Sequence, residues 1–470
     1  MKKILFLLII FAGIMNTSCD YKMDRVFDES SDTRLQQYVD HYTNTLLGSP
    51  NGWIMTIYTG AGGVYRFWMN FSNDNRVVMA ADFNSTLYES SYQIKVMQMA
   101  MLQFDTGSYL SDVCDPQPTV SGGTAGAGQI SDFEFYFMAE DYGEILLRGR
   151  YNRTTAILKP ATPAEAAVAL EGALEKARQN LESYVGAMTF PVIEGSNGQK
   201  IQINLGSRSL TYQYIEDGSL VEGSLYGYAD IDGLTQNYLN GTYYCLDLEF
   251  DGKIFTRFEW DESRQLYVAV SEDGDRYDLY DNQIPIYELD VVFGAKKDYN
   301  YFHVEKVSLA GSFSTEFLAI YDDINTKLNA LSSRSLGYLD FRLYTNNEST
   351  TQVVNASTGL PMPDVLEVTF RYINSTGTGY DAQWYWGITI DAQGIYTFSN
   401  MTQRQPDRTN ENNTKSAYQK AFDYINNNRF KLDWVVNNTP GSSASLGGFY
   451  VVDASGNATN SFVGGTLGKK

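Results

Sequence analysis

Gly52-Trp53-Ile54-Met55-Thr56-Ile57-Tyr58, Val64-Tyr65-Arg66-Phe67-Trp68-Met69-Asn70-Phe71 and Arg76-Val77-Val78-Met79-Ala80-Ala81-Asp82-Phe83 follow one another within residues 52–83. Ser72-Asn73-Asp74-Asn75 separates the last two. Short aromatic and β-branched runs punctuated by turn-forming residues predict antiparallel strands in quick succession. Upstream, Leu35, Tyr38, Val39, Tyr42 and Leu46 recur at helical spacing. They predict a helix that starts at Ser30 or Ser31 and stops at Gly48, with Pro50 just beyond. Downstream, Tyr92 to Phe104 reads as a strand or a pair, and Phe133 to Phe137, Glu144 to Tyr151 and Thr154 to Leu158 complete a meander.

The helix-then-strands order recurs. Thr162-Pro163-Ala164-Glu165 is a capping box with Pro at the first helical position. Leu170, Leu174, Ala177, Leu181 and Val185 then share a face up to Gly186. Strands are expected at Lys200 to Asn204, Leu210 to Ile215, Leu225 to Ile231, Tyr243 to Phe250, Ile254 to Trp260 and Gln265 to Val270. A third helix starts near Ser314, with Phe317, Tyr321, Ile324, Leu328 and Leu331 on one stripe. Residues 346–363 are poor in apolar side chains and mark a boundary, beyond which strands and one short helix close the chain. The fold class expected is mainly β (α+β): antiparallel meanders or partly closed barrels, each with a packing helix, in two or three modules. The divisions expected are 30–160, 161–345 and 346–470.

Residues 1–18 read as a signal peptide. Lys2 and Lys3 precede an apolar stretch, Ile4 to Met15, too short to span a bilayer as a helix. Cys19 follows directly and is the expected lipidation site, with residues 19–29 as an acidic tether. Acyl chains on Cys19 would hold the protein to a membrane. Lys and Arg number 35 against 56 Asp and Glu, a net charge of −21, and no basic run offsets it. That balance argues against nucleic acid as a partner.

His41 and His303 are the two histidines, so a three-histidine metal site cannot form within one chain. Neither adjoins a nucleophile motif, and no catalytic residues, metal ligands or cofactor are assigned. The 56 acids offer many carboxylate pairs, so sequence cannot select a hydrolytic one. Trp384-Tyr385-Trp386 is the densest aromatic feature. On a strand, Trp384 and Trp386 share a face, where they would form either a stacking platform for a sugar ring or sheet core. Tyr226, Tyr228, Tyr277 and Tyr280 are further aromatic candidates. The acidic stretch Glu272-Asp273-Gly274-Asp275 reads as a hairpin turn before it reads as a calcium loop. Cys114 and Cys245 are left open between a disulfide and two buried thiols.

Taken together, residues 27–34, Ser49-Pro50-Asn51-Gly52-Trp53, residues 71–78, Asp132-Phe133-Glu134-Phe135 and Ile145-Leu146-Leu147-Arg148-Gly149 carry a resemblance, as do Lys159-Pro160, residues 447–453 and Phe462-Val463-Gly464-Gly465. The chain resembles a lipoprotein family of Bacteroidota catalogued as domain of unknown function 4302. The resemblance implies a surface lipoprotein of the outer membrane, facing the exterior, with the periplasmic face left open. It also implies an accessory role in nutrient uptake beside a TonB-dependent channel and a SusD-like lipoprotein, with a glycan or cofactor as cargo. The competing expectations are a carboxylate-dependent hydrolase acting on surface glycans and a structural or adhesive surface component.

Overall fold

The computed structural model describes residues 31–96, 99–231, 241–306, 313–346, 352–403, 408–439 and 444–470. The expected signal peptide, Cys19 and the tether lie outside the described residues. The described residues divide into two compact units, one within residues 1–61 and 65–173, the other within residues 62–64 and 174–470. The fold is mainly β, built from three antiparallel sheets with a few packing helices.

In the first unit, helix α1 (Ser31–Leu47) precedes eight strands: β1 (Trp53–Tyr58), β2 (Val64–Phe71), β3 (Arg76–Ala81), β4 (Asn84–Val96), β5 (Ala100–Phe104), β6 (Glu134–Asp141), β7 (Glu144–Gly149) and β8 (Thr155–Pro160). They pair in sequence order, and β1 pairs with β8 to close a barrel. Alternation sends one face inward: Met55 and Ile57, Phe67 and Met69, Leu102 and Phe104, Ile145 and Leu147 share one buried cluster. Leu46 and Tyr42 of α1 pack on that cluster, and the Tyr42 ring stacks on Phe137 at 3.8 Å. Tyr38, assigned by spacing to the same stripe, is exposed, so the packed stripe is narrower than the periodicity suggests.

The Ser-Pro-Asn-Gly-Trp element is the joint between α1 and the barrel. Trp53 Nε1 donates to the Leu46 carbonyl at 2.9 Å, and Ser49 Oγ donates to the Gly52 carbonyl at 2.6 Å. The first bond satisfies a helix-end carbonyl that has no partner within the helix. Gly52 has φ +75°, and a Cβ there would stand 2.4 Å from the Met69 carbonyl oxygen. Both the torsion and the contact require glycine.

The capping box at Thr162 and Glu165 forms in both directions and starts helix α2 (Pro163–Leu170). The helix expected to run on to Gly186 instead breaks at Gly172, with φ +81°, and resumes as α3 (Ala173–Gly186). Nine strands follow: β9 (Pro191–Glu194), β10 (Lys200–Leu205), β11 (Ser209–Glu216), β12 (Ser219–Ala229), β13 (Tyr243–Phe250), β14 (Lys253–Asp261), β15 (Leu266–Ser271), β16 (Arg276–Asp278) and β17 (Tyr280–Asp281). β16 pairs with β15 while β17, one residue on, pairs with β9 at the opposite edge. The bend at Leu279, itself buried, therefore brings the two sheet edges onto one stretch of chain and all but closes a second barrel.

The third sheet is a closed barrel of β18 (Tyr301–Val304), β19 (Ser335–Thr345), β20 (Asp364–Ile373), β21 (Gly379–Ile390), β22 (Ile395–Thr402), β23 (Arg429–Val435), β24 (Leu446–Val452) and β25 (Ala458–Gly468). Helix α4 (Thr315–Ser332) starts at Ser314, whose hydroxyl accepts from Phe317 N, as the sequence predicts. Phe317, Tyr321, Ile324 and Leu328 enter the barrel core, whereas Leu331 is exposed. Helix α5 (Gln419–Asn427) adds Phe422 and Ile425 to the same core.

The proposed Trp platform belongs to this interior. Trp384 and Trp386 are 1% and 0% exposed. The Trp384 ring lies 5.0 Å from Phe422 and 5.2 Å from Tyr418, and Trp386 Nε1 donates to Asn426 at 2.8 Å. Alternation on β21 sends both indoles inward, and the inner face of a closed barrel is core. They offer no surface for a sugar to stack on.

Candidate functional site

Each histidine faces a carboxylate. His41, on α1, is exposed and pairs with Glu140 at 2.8 Å. His303, on β18, places Nδ1 2.7 Å from Asp340 and Nε2 3.8 Å from Glu305. The Tyr338 ring lies 4.6 Å from the His303 ring, and among the described residues no hydroxyl or thiol is bonded to the imidazole. The second oxygen of Asp340 accepts from Lys470 Nζ. Cys114 and Cys245 are both free, and burial pushes each thiol up to about 12. Neither supplies a thiolate near neutral pH.

The acidic stretch is a turn. The Ser271 N–H donates to the Asp275 carbonyl and the Asp275 N–H to Ser271 Oγ, around Gly274 with φ +87°. The carboxylates flanking it are ion-paired: Asp275 with Lys253 at 2.5 Å, and Asp278 with Arg264 at 2.6 Å. Among the described residues, no group of three or more His, Cys, Asp and Glu stands where it could hold a metal.

The arrangement with binding chemistry lies on the outer face of β10, β11 and β12. Their alternation is regular: Ile201, Ile203, Leu205 and Leu210 go inward and are essentially unexposed. Tyr212 goes inward opposite Gly223, where a Cβ would meet the ring at 2.5 Å. The β11–β12 hairpin turns on Asp217 and Gly218, both at positive φ, the two-residue loop favoured by the sheet's twist. With inward positions apolar, register decides what faces out.

Gln202 stands opposite Gln213, and Gln213 opposite Glu222. Gln202 Nε2 donates to Gln213 Oε1 at 3.3 Å, and Gln213 Nε2 donates to Glu222 Oε2 at 3.2 Å. The bonds run in one direction and end on a carboxylate, an order in which each bond polarises the next. Two residues along, Asn204, Thr211 and Ser224 form a second row, and the described structure gives their side chains no hydrogen-bond partner. Neighbouring members of a row are about 4.8 Å apart across strands, and the rows are about 7 Å apart along them. A cavity of about 500 Å³ opens over this face. Within it Gln202 Oε1 is a buried acceptor with no donor among the described residues. Amides, hydroxyls and one carboxylate in two rows match a ligand that presents many hydroxyl groups, each able to donate and accept.

The tyrosines flank this face rather than form it. Tyr226 stands opposite Ser209, outward and one row beyond Ser224. Tyr280, at the far end of the Gln202 row through Val192, donates to Glu194 at 3.0 Å beneath Lys200. Tyr228 stacks on Tyr244 at 5.8 Å, and Tyr277 donates to Asp251 at 3.0 Å while its ring meets Phe255. The motif reading passed over Gln202, Asn204, Thr211, Gln213, Glu222 and Ser224. The available signal was the run of polar residues at outward positions of three consecutive strands.

The fold defines a class: a mainly β protein of closed or nearly closed barrels with a few packing helices, which here carries an open polar face on its middle sheet. Residues 23–262 match the family model described as Domain of unknown function (DUF4302), and the chain belongs to that family. The matched region contains the polar face and the Ser-Pro-Asn-Gly-Trp joint, and it stops short of the third barrel and the C-terminal residues 447–465 quoted above. No curated protein matches the chain.

Proposed function

We propose that this protein is a noncatalytic binding component of nutrient uptake that captures a hydroxyl-rich ligand, of which a glycan is the leading case. The observation that carries the reading is the pair of rows Gln202–Gln213–Glu222 and Asn204–Thr211–Ser224 under an open cavity. Such a surface exchanges water for ligand hydroxyls at little cost, since both make the same bonds. Lipid on Cys19 holds the chain at the outer membrane of a Bacteroidota-type cell, beside a TonB-dependent channel and a SusD-like lipoprotein. The leader and the acidic stretch after Cys19 support that setting.

The test is retention of the full chain in gels containing neutral polysaccharides. At least one polysaccharide should retard it, and Gln213→Leu or Glu222→Ala should weaken retention about tenfold, the loss of one or two hydrogen bonds to ligand. Absence of retardation across the panel, or variants that migrate like the parent, would sink the reading. In parallel, Cys19→Ser should move the protein from the detergent phase to the aqueous phase. Unchanged partitioning would refute the anchor.

A further inference from the structure

We propose a second binding site on the outer face of the first barrel, for a hydroxyl-rich ligand that also carries carboxylates, such as an oligomer of uronic acid. The proposal rests on the reading that polar cross-strand rows in this chain bind saccharides, and it adds a charge preference and a second location. Gln93, Gln103 and Glu134 stand opposite one another on β4, β5 and β6, the same amide–amide–carboxylate order as Gln202, Gln213 and Glu222. A cavity of about 580 Å³ opens over this row as well.

The difference is in the cations. Arg150 extends the row: its N–H donates to the Glu134 carbonyl at 2.9 Å, and its guanidinium meets the Glu134 carboxylate at 2.5 Å. Glu134 is buried and neutralised by that pair. Lys95 also lines the cavity, is exposed, and makes no ion pair among the described residues. In the adjacent row Lys95, Met101, Tyr136 and Arg148 stand opposite one another, and Arg148 donates to the Thr155 hydroxyl rather than to an acid. Two cations, Lys95 and Arg150, line this cavity against one carboxylate, Glu134, so with Arg150 and Glu134 paired Lys95 is the surplus charge there, in a chain whose net charge is −21. A local positive field over a polar row favours anionic ligands and attracts them from solution. The Gln202 row has no such neighbours lining its cavity.

The experiment is calorimetric titration of the full chain with an oligogalacturonate and with its neutral methyl ester. The acid form should bind about tenfold more tightly than the ester, and added salt should erase the preference. Lys95→Ala should remove the preference, and Gln103→Leu should weaken both ligands; Gln213→Leu should leave the preference intact. Equal affinity for acid and ester, or a preference that survives Lys95→Ala, would overturn the second site. So would loss of all oligogalacturonate binding in Gln213→Leu, which would put the ligand on the middle sheet. If neutral polysaccharides are retained but neither oligomer binds, this site fails and the reading of the middle sheet stands. If nothing binds, both fail.

Discussion

Asp340 shows how one residue is tied to stability. It is 3% exposed, and burial alone would push its carboxyl up. The hydrogen bonds from His303 and Lys470, with the charge on Lys470, outweigh that and hold it below the ordinary carboxylate range. A folded-state value below the unfolded one, about 3.9, means that the stabilisation is fully present above that pH. It is lost as pH falls through the folded value. Asp340→Asn should therefore lower the urea midpoint near neutrality and shrink the further loss on acidification below about pH 4. A variant whose acid-side loss equals that of the parent would show that the cluster does not contribute.

Among the elements, the α1–β1 joint is the most constrained. Gly52 combines a left-handed torsion with the 2.4 Å approach of a missing Cβ to the Met69 carbonyl. Gly52→Ala should cost about 1–3 kcal/mol, read from denaturant midpoints. Gly186→Ala is the control: no atom lies within 4 Å of its added Cβ, and the residue ends α3 without positive φ. It should be neutral or slightly stabilising. Equal costs for the two would mean that the joint is not strained. Elements whose signals are local were legible beforehand: the Thr162 capping box, the Ser314 cap, and the strands flanking residues 72–75. The break at Gly172 was not, because helical spacing continues through it and only φ +81° interrupts the chain.

At the scale of the whole molecule, each barrel has its own apolar cluster. Separate cores favour unfolding that departs from a single two-state transition. Calorimetry should give a measured enthalpy larger than the van't Hoff value. Trp384→Ala, which empties a core site in the third barrel at a cost of about 3–5 kcal/mol, should lower one component and leave another in place. A single transition that shifts as a whole would contradict independent cores.

The sequence by itself determined what is local or periodic: the β-rich class, the helix caps and the shortage of histidine. Those follow from alternation, capping chemistry and composition, which need no partner segment. Tertiary structure decided which face of each strand became the interior. Trp384 and Trp386 share a face by strand geometry, but only closure of the third barrel makes that face core. Gln202, Gln213 and Glu222 are separated along the chain and carry no motif, yet antiparallel register sets them side by side. Register is a property of paired strands, so a site built from it is not written in any one of them.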